Sequence, residues 1–202
     1  MIFLTDFADQ AVVLPVVAAV AIVLAATGWR RGALAWFGAI GVTFGVILLL
    51  KLGFLACSPA FAPWALHSPS GHTAAASVVA GGLVAVLAGP RWAVLLAALL
   101  AALTIGLSRL ELGEHSLPEV AVGAAVGLAG ALALAHLAGR PPRARPVPLL
   151  AVAVLLAMLL HGMHLPAEAA IWRASHGALD FVPACRGTPT PSDGGRSVHD
   201  RP

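Results

Sequence analysis

The chain has 202 residues, of which 59% are hydrophobic and 10% charged, with a mean hydropathy of +0.92. Soluble globular domains are about one-quarter charged, so this composition excludes an ordinary water-soluble domain and specifies a membrane protein. The net charge of +3 does not arise from an arginine stripe interleaved with aromatics, which argues against a nucleic-acid surface.

In chain order, the N-terminus carries Asp6 and Asp9 and no lysine or arginine. It lacks the positive n-region of a secretory signal peptide, so the first apolar stretch reads as a retained helix. A bilayer crossing needs about 20 apolar residues, and six stretches are free of Asp, Glu, Lys and Arg in their interiors. They run Ala11 to Thr27, Ala33 to Leu50, Thr73 to Leu87, Trp92 to Leu107, Val120 to Ala138 and Pro148 to Leu160. The second is expected to continue past Lys51 to Cys57, where Ser58-Pro59 stops it. The fold class is therefore all-α, a polytopic bundle of six transmembrane helices over residues 1–164. Residues 165–202, rich in Pro, Gly, Ser and charge, form a partly disordered extracytoplasmic tail, with a short surface helix expected over Ala167 to Ala178.

Orientation follows from the connections. Arg30 and Arg31, Arg91, and Arg140, Arg143 and Arg145 make every odd-numbered connection basic and hence cytoplasmic. Both termini and the even-numbered connections then lie outside, with the polar cluster on that side; a bacterial plasma (inner) membrane, with the cluster facing the periplasm, is the expected location. Trp29, Trp36 and Trp92 fit a cytoplasmic aromatic belt, and Trp64 and Trp172 an outer one. Cys57 and Cys185 are too few for a zinc site or a disulfide framework and are expected as unpaired thiols, although this topology lets them meet in an oxidising compartment.

Ionisable groups near a membrane are functional candidates by default, and here they gather on the outer side. Lys51, the only lysine, ends the second helix; His67 and His72 precede the third; Arg109, Glu111, Glu114, His115 and Glu119 fill the link between the fourth and fifth; His161 and His164 follow the sixth. Pro69-Ser70-Gly71-His72 reads as an N-cap whose exposed amides suit an anion. His115 and Glu119 are four apart at a helix start, where the carboxylate can fix the imidazole tautomer. Ser116 and Glu119 also form a capping box with Pro118 in the first turn, which accounts for Glu119 but for neither His115 nor Arg109. A metal centre drawn from His67, His72, His115, His161 and His164 is disfavoured, since no pair has helical ligand spacing on an established helix. No cofactor or metal is expected.

These strings resemble the type 2 phosphatidic acid phosphatases, relatives of glucose-6-phosphatase and the vanadium haloperoxidases. That family's signatures K-x6-R-P, P-S-G-H and S-R-x5-H-x3-D are matched, in order, by Lys51-x6-Ser58-Pro59, Pro69-Ser70-Gly71-His72 and Ser108-Arg109-x5-His115-x3-Glu119. The second matches fully, the first has serine for arginine and the third glutamate for aspartate. The resemblance implies a lipid phosphatase acting without metal, in which His115 attacks phosphorus to form a phosphohistidine and Glu119 orients it. It implies that His72 protonates the leaving oxygen, while Lys51, Ser70, Gly71 and Arg109 hold the phosphoryl oxygens, with Ser58 and Ser108 as further positions. Implied partners are the bilayer and a lipid phosphate: phosphatidic acid, phosphatidylglycerol phosphate or a polyprenyl diphosphate such as undecaprenyl diphosphate. Ser58 also supports an alternative, a degenerate member that only binds an anionic lipid or a membrane partner.

Overall fold

The structure is a computed structural model that describes residues 2–57, 61–139, 146–166, 169–171 and 173–174. Among them every regular element is helical: α1 (Ile2–Asp6), α2 (Gln10–Ala26), α3 (Arg30–Ala56), a short 3-10 turn (Ala62–Trp64), α4 (Gly71–Val86), α5 (Arg91–Glu111), α6 (Leu117–Ala138) and α7 (Pro146–Leu159). The helices from α2 to α7 correspond to the six expected apolar stretches. Four stretches are long and apolar enough to cross a membrane: Ile2–Ala26, Arg30–Leu55, Arg91–Glu111 and Leu117–Ala138. The other two, α4 with 16 residues and α7 with 14, fall short of that length.

Two boundaries differ from expectation. Helix α5 runs on to Glu111, so Ser108, Arg109 and Glu111 belong to its last turns and not to a link. Helix α1 was not anticipated. Ser58, Cys185, Trp172, Arg140, Arg143 and Arg145 lie outside the described residues, as does most of the helix expected over Ala167 to Ala178. Cys57 is disulfide-bonded, which corrects the expectation of an unpaired thiol; the chain contains one other cysteine, Cys185.

Helix α4 is the hub, packed on α3, α5 and α6. Small residues allow this. A Cβ on Gly127 of α6 would stand 2.6 Å from both the Ala74 carbonyl and Ser77 Cβ of α4, and one on Gly123 would collide with the Ser70 carbonyl. Glycines one turn apart thus let the two backbones touch, the packing that lipid-embedded helices favour. At the opposite end Arg31 Nε donates to the Leu137 carbonyl at 2.8 Å, tying the start of α3 to the end of α6. On the outside, Leu95, Leu96, Leu99, Leu100, Leu103 and Leu107 of α5 are exposed, an apolar face suited to acyl chains.

Trp29 and Trp36 do not form a surface belt. Both are buried in the core, and Trp36 Nε1 donates to the Val17 carbonyl at 2.9 Å, so its indole joins α3 to α2. Trp92 and Trp64 are exposed, as an interfacial position requires.

The N-terminal segment closes one end of the bundle. The Thr5 hydroxyl pairs with that of Ser108, and the His161 ring lies 4.5 Å from those of Phe3 and Phe7. Asp9 caps α2 through Ala11 N and also accepts from Leu165 N at 3.2 Å. Asp6 Oδ1 meets His164 Nε2 at 2.9 Å, and this hydrogen bond raises the His164 pKa above 6.5.

Two predictions follow from this packing. Gly127→Leu should lower the thermal midpoint of the detergent-solubilised protein, with overpacking costing about 1–3 kcal/mol, whereas Gly38→Leu, where a Cβ meets nothing, should not. The Asp6–His164 tie stabilises the protonated imidazole, so its contribution is complete below pH 6.5 and disappears as pH rises through the elevated folded-state value. Wild type should therefore outlast His164→Ala in thermal melts at pH 6, and the difference should shrink as the pH is raised into the alkaline range.

Candidate active site

The polar ends of α2, α3, α4, α5 and α6 meet at one end of the bundle, and Glu119 is their junction. Helix α6 begins at Leu117, so Glu119 sits in its first turn with the carboxylate reaching back over the N-terminus. Oε2 accepts from Ser116 N at 3.0 Å and faces His115 Nδ1 at 3.0 Å. Oε1 accepts from His67 N at 2.8 Å and Ser68 N at 2.7 Å. The capping and imidazole-orienting roles read from sequence thus coexist on one oxygen. The other oxygen fastens the loop before α4, a role the sequence did not reveal. The backbone reinforces it, since Ser70 N donates to the Glu119 carbonyl at 3.0 Å.

From that loop the network continues to the lysine. Lys51 Nζ donates to Ser68 Oγ at 3.0 Å, and Lys51 is 2% exposed, although an ammonium is rarely buried so deeply without a task. A Cβ on Gly71 would stand 3.5 Å from Lys51 Cε, so glycine keeps the first turn of α4 open to the lysine stem. Ser70 caps α4, its Oγ accepting from Thr73 N at 3.4 Å and from Thr73 Oγ1 at 2.9 Å. Neither bond consumes the serine's own hydroxyl hydrogen.

Arg109 is buried near the end of α5. Its Nη2 is 3.5 Å from Glu114 Oε2, and its Nε has no hydrogen-bond partner among the described residues. A buried guanidinium N–H in that state is unusual and suits an incoming anion. Ser108 is buried beside Thr5.

The His115 side chain is 5% exposed. Its pKa lies below 6.5, chiefly because burial penalises the charged ring; the Glu119 hydrogen bond opposes this, and the Lys51 and Arg109 charges add to it. A neutral ring that donates Nδ1–H to Glu119 carries its lone pair on Nε2. Lys51, Ser70, Gly71, Arg109, His115 and Glu119 are thus gathered in one neighbourhood.

His72, in the first turn of α4, lines a cavity of about 300 Å³ with Lys51 and Gly71. Its Nε2 is 3.8 Å from Asp9 Oδ2. The cavity continues between α2 and α3 over Leu14, Phe44, Ile47 and Leu48. His115 and Arg109 do not line it; His115 connects to it through Glu119, Ser68 and Lys51. Asp9 was missed as a site residue, its only sequence signal being an acidic side chain just ahead of an apolar run. Of the five histidines weighed as metal ligands, His161 and His164 are engaged by the N-terminal segment, away from Glu119.

Residues 53–143 match the family model of the PAP2 superfamily. The family is PAP2. This stretch holds Ser70, Gly71, His72, Arg109, His115 and Glu119, and it begins just after Lys51. It is consistent with a type 2 phosphatidic acid phosphatase superfamily member and supports phosphatase-type chemistry on phosphate esters. No curated protein and no solved structure matches the chain.

The His115 environment makes a direct prediction. In imidazole NMR titrations His115 should titrate below pH 6.5, and Arg109→Gln should move its midpoint upward by removing one of the repelling charges.

Proposed function

We propose that this chain is an integral membrane lipid phosphatase that hydrolyses a phosphomonoester or diphosphate through a phosphohistidine on His115. The observation that carries the reading is the 3.0 Å contact between His115 Nδ1 and Glu119, which leaves Nε2 as the nucleophilic nitrogen close to two buried cations. Its lone pair forms the N–P bond while the P–O bond to the lipid breaks, and His72 gives its proton to the departing oxygen. Water then attacks phosphorus, the N–P bond breaks, His72 takes up the water proton and inorganic phosphate leaves. Lys51, Arg109, the Ser70 hydroxyl and the first-turn amide of Gly71 stabilise the charge on the phosphoryl oxygens. These donors supply the electrostatic stabilisation without a metal.

The apolar cavity running from His72 between α2 and α3 favours a substrate with a hydrocarbon chain. Phosphatidic acid, phosphatidylglycerol phosphate and polyprenyl diphosphates have the required form. Arg30, Arg31 and Arg91 begin α3 and α5, at the ends of those helices remote from Lys51 and Arg109. With α4 and α7 as short spans completing six, the basic end is cytoplasmic and the site faces the outside of a bacterial plasma membrane.

Ser58, where the family signature has arginine, favours a second reading in which the chain binds an anionic lipid without turning it over. Losing one preorganised donor costs about 2.7–4 kcal/mol of transition-state stabilisation. The test is phosphate release by purified protein from those three lipids and from a short-chain soluble phosphate ester, beside His115→Ala and Ser58→Arg. Turnover by wild type that His115→Ala lacks, and that favours the long-chain lipids, is expected. Release equal to that of His115→Ala on every substrate would rule out the phosphatase, and activity appearing only in Ser58→Arg would establish the binding-only reading.

A further inference from the structure

The three motifs supply a carboxylate for His115 but none for His72. Glu119 is committed to His115 and three backbone amides, and Glu114 is paired with Arg109. Among the described residues, the acid that faces His72 comes from near the start of the sequence. Asp9 Oδ2 lies 3.8 Å from His72 Nε2, with the two side chains 9% and 13% exposed. The ordinary explanation of Asp9 is the N-cap of α2, and it accounts for one oxygen only. Both backbone bonds, from Ala11 N at 2.8 Å and Leu165 N at 3.2 Å, fall on Oδ1. Oδ2 accepts neither of them and stands 3.8 Å from the histidine.

We infer that Asp9 is a positioning residue for His72, holding the imidazole by its Nε2 side and keeping it protonated for the leaving oxygen. The inference rests on the phosphatase reading for its role in turnover. The surrounding charges make the need concrete. Lys51, from α3, lines the same cavity and opposes a second positive charge there; Gln10 beside it is neutral. Asp6 from α1 is engaged by His164, itself held near Asp9. Asp9 is thus the carboxylate placed to offset Lys51 at His72, and α2 is the element that carries it there.

Asn caps a helix as well as Asp but carries no charge, so Asp9→Asn separates the two roles. In the full-length protein, the His72 imidazole resonance, identified by its loss in His72→Gln, should titrate at lower pH in Asp9→Asn, because a carboxylate 3.8 Å from the ring has been removed. The thermal midpoint should stay at the wild-type value, while Asp9→Ala, which loses the cap, should fall. In phosphate-release assays Asp9→Asn should lose about tenfold or more in kcat with little change in KM, and its alkaline limb should move to lower pH. An unchanged His72 titration in Asp9→Asn overturns the inference even where kcat falls, because the loss would then be structural. Were wild type to release no more phosphate than His115→Ala, the phosphatase reading would fail separately, and the His72 titration would still decide the pairing.

Discussion

A single carboxylate organises this end of the molecule. Glu119 places about four acceptor sites against three backbone N–H groups and one imidazole, so both oxygens are fully used. The loop before α4, the first turn of α6 and His115 are thereby held by one side chain that is itself buried. Removing any one partner would leave a buried charge less satisfied, which is more costly than the loss of an ordinary hydrogen bond. The glycine-mediated contact of α4 with α6 serves the same end, since it brings the Ser70 backbone against Gly123 and within reach of the Glu119 carbonyl. Packing and site geometry are one constraint here.

The convergence of Lys51, Ser70, Arg109 and His115 was legible in the sequence because alternating spans bring the end of one helix beside the start of the next. The pairing of His115 with Glu119 was legible from their spacing, but the two do not share a helical turn: His115 precedes the Ser116 N-cap, and Glu119 in the first turn reaches back to it. What stayed hidden has a common cause. Trp36 was read as interfacial, yet α3 is apolar nearly all round, so periodicity cannot separate its core side from its lipid side. The second oxygen of Glu119 is spent on loop amides, whose direction no side-chain pattern encodes. Asp9 looked like a cap, which it is, and nothing local distinguishes a cap from a cap that also faces a distant histidine. Helix α5 ran on past its predicted end because the polar residues there, Ser108 and Arg109, are good enough helix formers once their side chains are buried against neighbours.

The departure at Ser58 changes how the remaining cations are viewed. Lys51 is buried, hydrogen-bonded to Ser68 and close to Gly71, so its position is fixed by three separate elements. Arg109 has a buried Nε without a partner among the described residues and only a loose contact to Glu114. On the proposed reading, the arginine would keep hydrogen-bonding capacity for an anion and the lysine would act mainly as a fixed point charge.

The shortness of α4 has a mechanical consequence. Its 16 residues rise only about 24 Å, less than the roughly 30 Å hydrocarbon layer of a typical bilayer. A straight helix of that length cannot touch both headgroup planes, and Leu87 at its far end is followed directly by the turn into α5. Where its polar tip, Ser70 to His72, sits below the surface plane, the surrounding leaflet must dimple towards it or the lipid must sink to meet it. Were the substrate a lipid, as proposed, local thinning of this kind would place its ester oxygens at the depth of the imidazoles while the hydrocarbon remains in its own phase, so it would not have to be lifted into water.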